Sequence, residues 1–162
     1  MQVDLVRADI HMKEKFRNLM QYYIYDFSGY LNFEIDENTG MYPPYPDFDK
    51  YWENEDKYIP YLFRVGSCTA GFALVEALHG KRNADSYMTE FFVLKKYRKL
   101  GVGKAAAIQL FEKYRGRWLI SQLSSNIPAQ MFWRTIIKEY TNDHYEEETR
   151  FDNRQISQRF TN

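Results

Sequence analysis

The segment YMTEFFVLKKYRKLGVGKAAAIQLFEKY, residues 87–114, decides the fold of this chain. Its beginning, residues 87–94, is short, apolar and rich in aromatic residues, which predicts a buried β-strand. Its end, residues 105–114, holds good helix formers and no Pro or Gly, which predicts an α-helix. One face of this helix can pack on a sheet, because apolar or aromatic side chains recur at every fourth position. These side chains are Val102, Ala106, Leu110 and Tyr114.

The connection between this strand and this helix has the composition of an anion-binding loop. It contains two glycines, Gly101 and Gly103, which let backbone N–H groups approach a bound anion closely. The first turn of the following helix adds unpaired N–H groups and the positive end of the helix dipole. The loop is therefore predicted to bind phosphate. Basic side chains flank the glycines: Lys95, Lys96, Arg98, Lys99 and Lys104.

Two common phosphate-binding motifs fit this loop poorly. A P-loop requires Gly, and Ser or Thr, where this chain has Arg98 and Ala105, so that motif is excluded. The dinucleotide pattern G-x-G-x-x-G/A matches residues 101–106. That pattern also needs an acidic residue about 20 positions further on to bind the ribose hydroxyls. Residues 114–137 contain no Asp or Glu, which disfavours a nicotinamide cofactor.

Two other motifs resemble those of the GNAT acetyltransferase superfamily. Residues 98–103, RKLGVG, resemble its R/Q-x-x-G-x-G/A element, and the preceding FFVLKKY, residues 91–97, is similar to its fourth strand and lead-in. Residues 126–133, NIPAQMFW, resemble its N-x-x-A-x-x-F-Y segment. The motifs occur in the family's order, and the resemblance extends over residues 87–137.

The resemblance implies a mixed α/β (α+β) fold: a twisted, mostly antiparallel sheet with a parallel pair of fourth and fifth strands and helices on both faces. The predicted crossover from residues 87–94, through the helix, to a strand at residues 117–123 agrees with it, because βαβ units join parallel strands. The length of 162 residues suits a single GNAT-like acetyltransferase domain over residues 1–162.

The resemblance also implies that acetyl-CoA is the co-substrate. In GNAT enzymes the glycine loop binds the pyrophosphate, and the fourth strand pairs its backbone with the pantetheine arm. Asn126 matches the family Asn that binds this arm, although a helix N-cap before Pro128 is an alternative role. The implied contacts are Phe92, Val93, Arg98, Lys99, Leu100, Gly101, Val102, Gly103, Lys104, Asn126 and Trp133.

Glu90 is the candidate catalytic residue. It lies between Thr89 and Phe91 in a strand that is otherwise apolar, where a carboxylate is unfavourable unless it is paired or lines a wet cleft. A general base with a pKa raised by apolar surroundings would take a proton from the acceptor ammonium. The alternative is a structural carboxylate that binds neighbouring backbone or Arg groups. Some GNAT members place an acidic base five residues before the Asn, but that position is Ser121 here.

The usual general acid of the family is missing. Trp133 stands where many GNAT enzymes have a Tyr, and an indole N–H is far too weak an acid to protonate a leaving thiolate. The proton is therefore expected from another Tyr or from solvent. The backbone N–H of Val93 is expected to polarise the thioester carbonyl, in the manner of an oxyanion hole.

The acceptor site has two candidate sequence features. The first two helices of GNAT folds border it, which makes Tyr22 and Tyr25 candidate substrate contacts; the alternative is a packed helix face with exposed Tyr hydroxyls. Residues 34–56 hold eight acidic residues and one base, Lys50. These acids form either a rim that attracts a cationic amine or a solvated surface. The acceptor is expected to be a small-molecule or peptide amine.

Amino-acid composition and charge disfavour several other classes of protein. The formal net charge is zero, which argues against a nucleic-acid binder. Cys68 is the single cysteine, so an internal disulfide is excluded and a reducing compartment is expected. The absence of a signal peptide pattern or a long apolar run predicts a cytoplasmic protein without a membrane partner. The three His residues are too scattered along the chain to predict a metal site. A homodimer is expected because dimers are common among GNAT proteins.

The remaining elements follow from periodicity and turn residues. Residues 40–60, with four Pro and one Gly, are predicted to be irregular. The other predictions are a strand at 3–6, a helical region at 8–27, a hairpin of 61–65 and 70–77, a helix at 128–140, and a final hairpin of 141–150 and 155–161 around the turn Phe151-Asp152-Asn153-Arg154.

Two functions of other classes stay open at this point. A catalytically silent acyl-CoA-binding module with a regulatory role is favoured by Trp133 and Ser121, which replace the family's acid and base. A dinucleotide-dependent oxidoreductase is favoured by the glycine pattern but lacks the acidic residue described above. The preferred function is acetyl transfer from acetyl-CoA to a primary amine.

Overall fold

The computed structural model describes residues 2–150 and 152–162. Within these ranges seven strands form one sheet in the order β1-β2-β3-β4-β5-β7-β6. Neighbouring strands are antiparallel except for β4 and β5, which run parallel. The strands are β1 (Asp4–Arg7), β2 (Tyr58–Val65), β3 (Cys68–Ala77), β4 (Ser86–Val93), β5 (Arg117–Leu123), β6 (Glu146–Thr149) and β7 (Gln155–Thr161).

Four α-helices accompany the sheet in the described part of the chain. They are α1 (Lys13–Phe27), α2 (Lys50–Glu53), α3 (Val102–Lys113) and α4 (Ile127–Thr141). Helix α3 is the crossover between the parallel strands β4 and β5, as predicted. Helix α4 begins where the Asn126 side chain accepts a hydrogen bond from the backbone N–H of Ala129, with Pro128 in the first turn.

The sheet separates two hydrophobic cores, so helices lie on both of its faces. On one face, Leu110 of α3 and Ile137 of α4 belong to the same buried cluster as Trp118 of β5. On the other face, Phe16 of α1 packs against Phe72 of β3, with ring centroids 5.3 Å apart. The mixed α/β fold, the mostly antiparallel sheet and the parallel β4/β5 pair are all confirmed.

Strand β4 contains a β-bulge next to the candidate catalytic residue. Leu74 and Val75 are consecutive on β3, but their partners on β4, Glu90 and Met88, are two residues apart. Thr89, between them, therefore has no partner on β3. Side chains two apart on a regular strand share a face. The bulge breaks this alternation: Met88 belongs to the core beneath α3 and α4, whereas Glu90 meets α1 on the opposite face.

Strands β3 and β4 approach each other closely at Gly71. A Cβ atom added there would lie 2.1 Å from the backbone oxygen of Phe92 and 3.0 Å from the Cα of Val93. Because both obstacles are backbone atoms, a side chain could fit only if the strands moved apart. Gly71 therefore fixes the position of β4 just beyond the bulge.

Gly71→Ala is expected to destabilise the protein by about 3 kcal/mol or more, because overpacking against backbone cannot be relieved by a change of rotamer. The free energy of unfolding from urea denaturation measures this effect. Gly29→Ala is the matched control, since its added Cβ would meet its nearest atom at an ordinary 3.6 Å. Equal stability of the two variants would contradict the close approach of β3 and β4.

Several boundaries differ from the sequence predictions. Strand β2 begins at Tyr58 and includes Pro60, within the stretch predicted to be irregular. The carbonyl of Pro60 accepts a hydrogen bond from the N–H of Ala8, which follows β1, so the backbone groups of Pro60 point towards β1. The N–H that proline lacks is therefore not needed for pairing with β3. Cys68 begins β3 instead of lying in the turn. Helix α1 begins at Lys13, after a 3-10 turn at Ile10–Met12.

The other predicted elements are confirmed. The apolar face of α1 buries Phe16, Leu19, Met20, Tyr23 and Ile24, which recur at helical spacing. Strands β6 and β7 form the final hairpin, although α4 extends to Thr141 and β6 is correspondingly shorter than predicted. Phe151, in the predicted turn of this hairpin, lies outside the described residues.

Candidate active site

A cleft opens where β4 and β5 separate. The two strands pair only over Ser86–Met88 and Trp118–Ile120, although β4 continues to Val93 and β5 to Leu123. The cleft has a volume of about 390 Å³ and is lined by both unpaired ends. Residues 89–91 of β4 and 121–123 of β5 form its sides, and Asn126, Ala129 and Trp133 close it on the side of α4.

The separation leaves β4 with backbone groups directed towards β5. The N–H of Leu94 donates to the carbonyl of Ala70, at 2.9 Å, on the β3 side. Hydrogen-bonding direction alternates along an antiparallel strand, so the N–H groups of Phe91 and Val93 point to the β5 side. These groups can pair with an extended ligand or polarise a carbonyl, as predicted for Val93.

Glu90 is held in the cleft by two tyrosine hydroxyls. Tyr23 of α1 donates a hydrogen bond to Oε2 of Glu90, and Tyr45, from the connection between α1 and α2, donates to Oε1 at 2.7 Å. Each carboxylate oxygen retains a further lone pair, so an ammonium group can still bind. Tyr23 and Tyr45 also line the cleft.

The pKa values of these three groups are shifted in the direction expected for a buried acid–base cluster. Burial raises the pKa of Glu90 above its ordinary value, while the hydrogen bonds from Tyr23 and Tyr45 and the charge of Lys50 lower it in part. Burial and the negative charge of Glu90 raise the pKa of both tyrosines. Glu90 is therefore a stronger base than an exposed carboxylate, and both hydroxyls stay protonated at neutral pH.

Few groups in the cleft can exchange a proton. Among the described residues that line it, the titratable side chains are Glu90, Tyr23, Tyr45 and Tyr87. Trp133 is buried against Phe91, with ring centroids 5.0 Å apart, and supplies no acidic proton. The lining side chains that could protonate a leaving group are therefore these tyrosines and Glu90 once it carries a proton.

The glycine loop has the geometry of an anion site. Gly101 adopts a left-handed conformation, with φ of 80°, and a Cβ built on it meets nothing within 4 Å. Hydrogen bonding within α3 starts with Ala105, which donates to the carbonyl of Gly101 at 3.0 Å. The N–H groups of the first turn of α3 consequently point out of the helix end, next to open space.

Gly103 connects this loop to the cleft through packing. A Cβ on Gly103 would lie 3.0 Å from the ring of Phe132 and 3.4 Å from Val93. Phe132 in turn lies 5.7 Å, between ring centroids, from Phe91, which lines the cleft. The small residue at this position lets the end of α3 pack directly against β4.

The basic side chains of the loop differ in their partners. Arg98 donates through Nε to the carbonyl of Val93, at 2.7 Å, and forms an ion pair with Asp26 at the end of α1. Lys104 is paired with Glu139 of α4. Lys99 and Leu100 are exposed, whereas the Val102 side chain is buried, so Val102 can offer a ligand only its backbone.

Asn126 and Ser121 both have partners at the cleft. The Oδ1 atom of Asn126 accepts from the Ala129 N–H at 3.1 Å, so the N-cap role is present, and Asn126 also lines the cleft. Ser121, at the position where some GNAT members have an acid, exchanges a hydrogen bond of 2.8 Å with Ser157 of β7. Glu90 therefore carries the one carboxylate among the lining residues of the described chain.

Two sets of predicted contact residues have side chains that lie away from the cleft. Tyr22 and Tyr25 do not line the cleft, and 59% and 66% of their surfaces are exposed, because they lie on the solvent face of α1. The adjacent Tyr23 faces the cleft instead. Phe92 lies on the α1 face, where its ring packs against Phe72, and Phe91 lines the cleft in its place.

The acidic stretch is a solvated surface. Its eight acidic residues are all exposed, and none lines the cleft. Asp49 is paired with Lys13, at 2.8 Å, and Asp36 accepts hydrogen bonds from the backbone of its own turn.

Over residues 2–150 and 152–162, no group of three or more His, Cys, Asp or Glu side chains could hold a metal ion. None of the helices described is long and apolar enough to span a bilayer.

Comparison with known proteins identifies the family. A model of the acetyltransferase (GNAT) family matches residues 27–136, well over half of the chain. This protein belongs to the GNAT acetyltransferase family. No curated protein sequence matches the chain significantly.

Solved structures share the fold at low sequence identity. An acetyltransferase from Thermus thermophilus is 9% identical, with a TM-score of 0.71 over 100% of this chain and 98% of that chain. The PaiA N-acetyltransferase from Thermoplasma acidophilum, in complex with coenzyme A, is 11% identical, with a TM-score of 0.63 over 100% of both chains. An aminoglycoside acetyltransferase from an uncultured soil metagenomic sample, in complex with sisomicin, is 18% identical, with a TM-score of 0.59 over 83% of this chain and 86% of that chain.

Tyr45→Phe is expected to raise the pKa of Glu90 further, because a hydrogen bond that favours the ionised carboxylate is lost. A carbon-detected NMR titration of the Glu90 carboxyl measures this pKa. Tyr22→Phe, on the solvent face of the helix that carries Tyr23, is the control and should leave the titration unchanged. An unchanged or lowered pKa in Tyr45→Phe would show that Tyr45 does not bind Glu90.

Proposed function

We propose that this protein is an N-acetyltransferase that moves the acetyl group of acetyl-CoA to the primary amine of an acceptor by direct attack. Residues 1–162 act as one GNAT-like domain in this proposal. The observation that carries it is the position of Glu90: a carboxylate with a raised pKa lies in the opening between β4 and β5. A proton acceptor thus stands in the opening that in GNAT enzymes holds the pantetheine arm.

The residues present fit acetyl-CoA. The open space at Gly101 and the outward N–H groups of the α3 N-terminus suit a pyrophosphate, with Lys99 exposed beside them. The N–H groups of Phe91 and Val93 suit the amide groups of an extended arm. When bound, acetyl-CoA supplies the thioester carbonyl that the amine attacks. PaiA N-acetyltransferase, which shares the fold, binds coenzyme A.

The cleft residues have distinct roles in the proposed reaction. Glu90 takes a proton from the acceptor ammonium, since only the neutral amine is a nucleophile. The N–H of Val93 donates to the carbonyl oxygen as negative charge develops there. Tyr23 or Tyr45 gives its proton to the leaving thiolate, in place of the hydroxyl that Trp133 lacks, and regains one from the acceptor nitrogen, which loses its second proton as the amide forms. Glu90 then passes its proton to solvent.

Lys99→Glu is expected to weaken CoA binding about tenfold or more, or roughly 1.4 kcal/mol, because it places a negative charge beside the pyrophosphate. Calorimetric titration with CoA and acetyl-CoA measures this change. Lys113→Glu makes the same charge change at the far end of α3, where Lys113 is exposed, and should bind normally. Equal loss in both variants would contradict a binding site at the glycine loop.

The midpoint of thermal unfolding, measured with CoA, acetyl-CoA or NADH, shows which of these cofactors the folded protein binds. A ligand that binds only the folded state stabilises it by about 2.7 kcal/mol at a hundredfold excess over Kd. Stabilisation by CoA and acetyl-CoA, and none by NADH, is expected. No stabilisation by CoA would refute the acetyltransferase proposal, and stabilisation by NADH alone would favour an oxidoreductase. Stabilisation by CoA without thiol release from any amine would favour a silent acyl-CoA-binding module.

Glu90→Gln is expected to lower kcat/KM about 10²–10⁴-fold without changing CoA affinity, because a general base contributes by this factor. In the unaltered enzyme, kcat/KM should fall as the pH drops through the raised pKa of Glu90, and this acidic limb should disappear in the variant. Thiol release across pH measures both effects. Glu76→Gln on β3, whose side chain pairs with Lys57 outside the cleft, is the control. An intact acidic limb in Glu90→Gln would assign Glu90 a structural role.

A further inference from the structure

The cleft contains a counter-charge for only one cation among its described lining residues. Among its described lining residues, Glu90 is the one carboxylate, and there is no Asp, Lys, Arg or His. The two hydroxyls that bind Glu90 are donors to it and do not add negative charge. A second ammonium on the acceptor would therefore be taken out of water without a counter-charge, which is strongly unfavourable.

The acidic residues near the cleft do not supply the missing charge. Residues 34–56 contain eight acids, all exposed and all absent from the lining. The side chains of this part of the chain that do reach the cleft are neutral: Pro43, Pro44, Tyr45 and Pro46. Three of the acids, Asp47, Asp49 and Glu53, line a neighbouring pocket that adjoins the cleft at Tyr45, and Arg17 and Lys50 in that pocket offset their charge.

The part of the cleft wall formed by the end of α1 and the connection that follows it is largely apolar. Phe27 of α1, Leu31, Phe33 and the three prolines line the cleft here. Proline has no N–H, so the proline part of this wall cannot donate backbone hydrogen bonds. Leu31 and Phe33 remain 37% and 41% exposed, so an apolar ligand would bury surface that now faces water.

We propose that the acceptor is a primary amine with a single positive charge, carried on an apolar alkyl or aryl group, and that polycationic amines are rejected. The inference rests on the proposed acetyl transfer. The ammonium binds at Glu90, and the apolar group lies against Phe27, Leu31 and Phe33. This acceptor class differs from the aminoglycoside sisomicin, which is bound to one of the proteins that share the fold.

A series of amines tests the acceptor class directly. In the unaltered protein with acetyl-CoA, kcat/KM should rise about fourfold for each methylene from propylamine to hexylamine, the factor that corresponds to the burial of one methylene. Hexamethylenediamine has the length of hexylamine and a second positive charge. Its kcat/KM should be more than tenfold below that of hexylamine. A diamine that reacts as well as hexylamine, or a flat series, would overturn the inference.

Phe33→Glu is expected to change this selectivity, because it places a second carboxylate on the cleft wall. The ratio of kcat/KM for hexamethylenediamine to that for hexylamine should rise at least tenfold. Ile35→Glu is the matched control: Ile35 lies on the same segment, is 40% exposed, and does not line the cleft. The same rise in both variants would show that general surface charge, and not the wall, sets the selectivity.

Binding measurements separate this inference from the proposed reaction. Calorimetric titration of the CoA-bound protein with hexylamine and with hexamethylenediamine requires no turnover. If no amine releases thiol but hexylamine binds more tightly than the diamine, acetyl transfer is refuted and the ligand class stands. If the diamine is acetylated as well as hexylamine, acetyl transfer stands and the ligand class is refuted. Absence of binding by hexylamine refutes the ligand class in either case.

Discussion

One extra residue in β4 determines how this site is built. Thr89 has no partner on β3, and the shift that it causes moves Glu90 to the face covered by α1. Without the bulge, Glu90 would share a face with Met88 and be surrounded by the aliphatic and aromatic side chains beneath α3 and α4. There it would lose the hydrogen bonds from Tyr23 and Tyr45, and an ionised carboxylate among apolar side chains would be unfavourable. The bulge thus makes a charged group compatible with a buried strand.

The same region of the sheet also provides the opening. Beyond Met88 and Ile120 the parallel strands no longer pair, which leaves backbone donors of β4 unpaired on the side of β5. Strand β5 keeps its shape without β4, because it pairs with β7 along its whole length, from Arg117 to Leu123. The cleft is therefore bordered by strands that are each held from one side, β4 by β3 and β5 by β7. A ligand can occupy the gap without breaking sheet hydrogen bonds.

The sequence predicted most of the fold and pointed to Glu90, Asn126 and Trp133, which line the cleft. Local patterns were sufficient for β4, α3 and β5, since aromatic runs, helix formers and glycines act over a few residues. The position of Glu90 in the cleft was likewise predictable, because a lone acid in an apolar strand needs a partner. Helical periodicity also places Tyr23 on the buried face of α1, and that signal points to Tyr23 instead of the exposed Tyr22 and Tyr25.

Features that depend on contacts across the chain were not predictable. Tyr45 reaches Glu90 from an irregular connection, and no local pattern indicates a contact between residues so far apart in sequence. The bulge at Thr89 likewise depends on the register with β3 and leaves no mark in composition. The choice of Phe91 over Phe92 as the cleft residue follows from that register. A one-residue change of register exchanges the two faces of a strand.

The ion pair between Arg98 and Asp26 has a consequence for how the binding of two ligands is coupled. Arg98 belongs to the glycine loop, and Asp26 ends the helix from which the apolar wall of the cleft departs at Phe27. An anion at the glycine loop and a ligand at the apolar wall would therefore lie near the two ends of one ion pair. Thermodynamic linkage then requires reciprocity: whatever factor the first ligand applies to the affinity of the second, the second applies to the first. Ligands of the two regions would bind interdependently to the extent that each alters this ion pair.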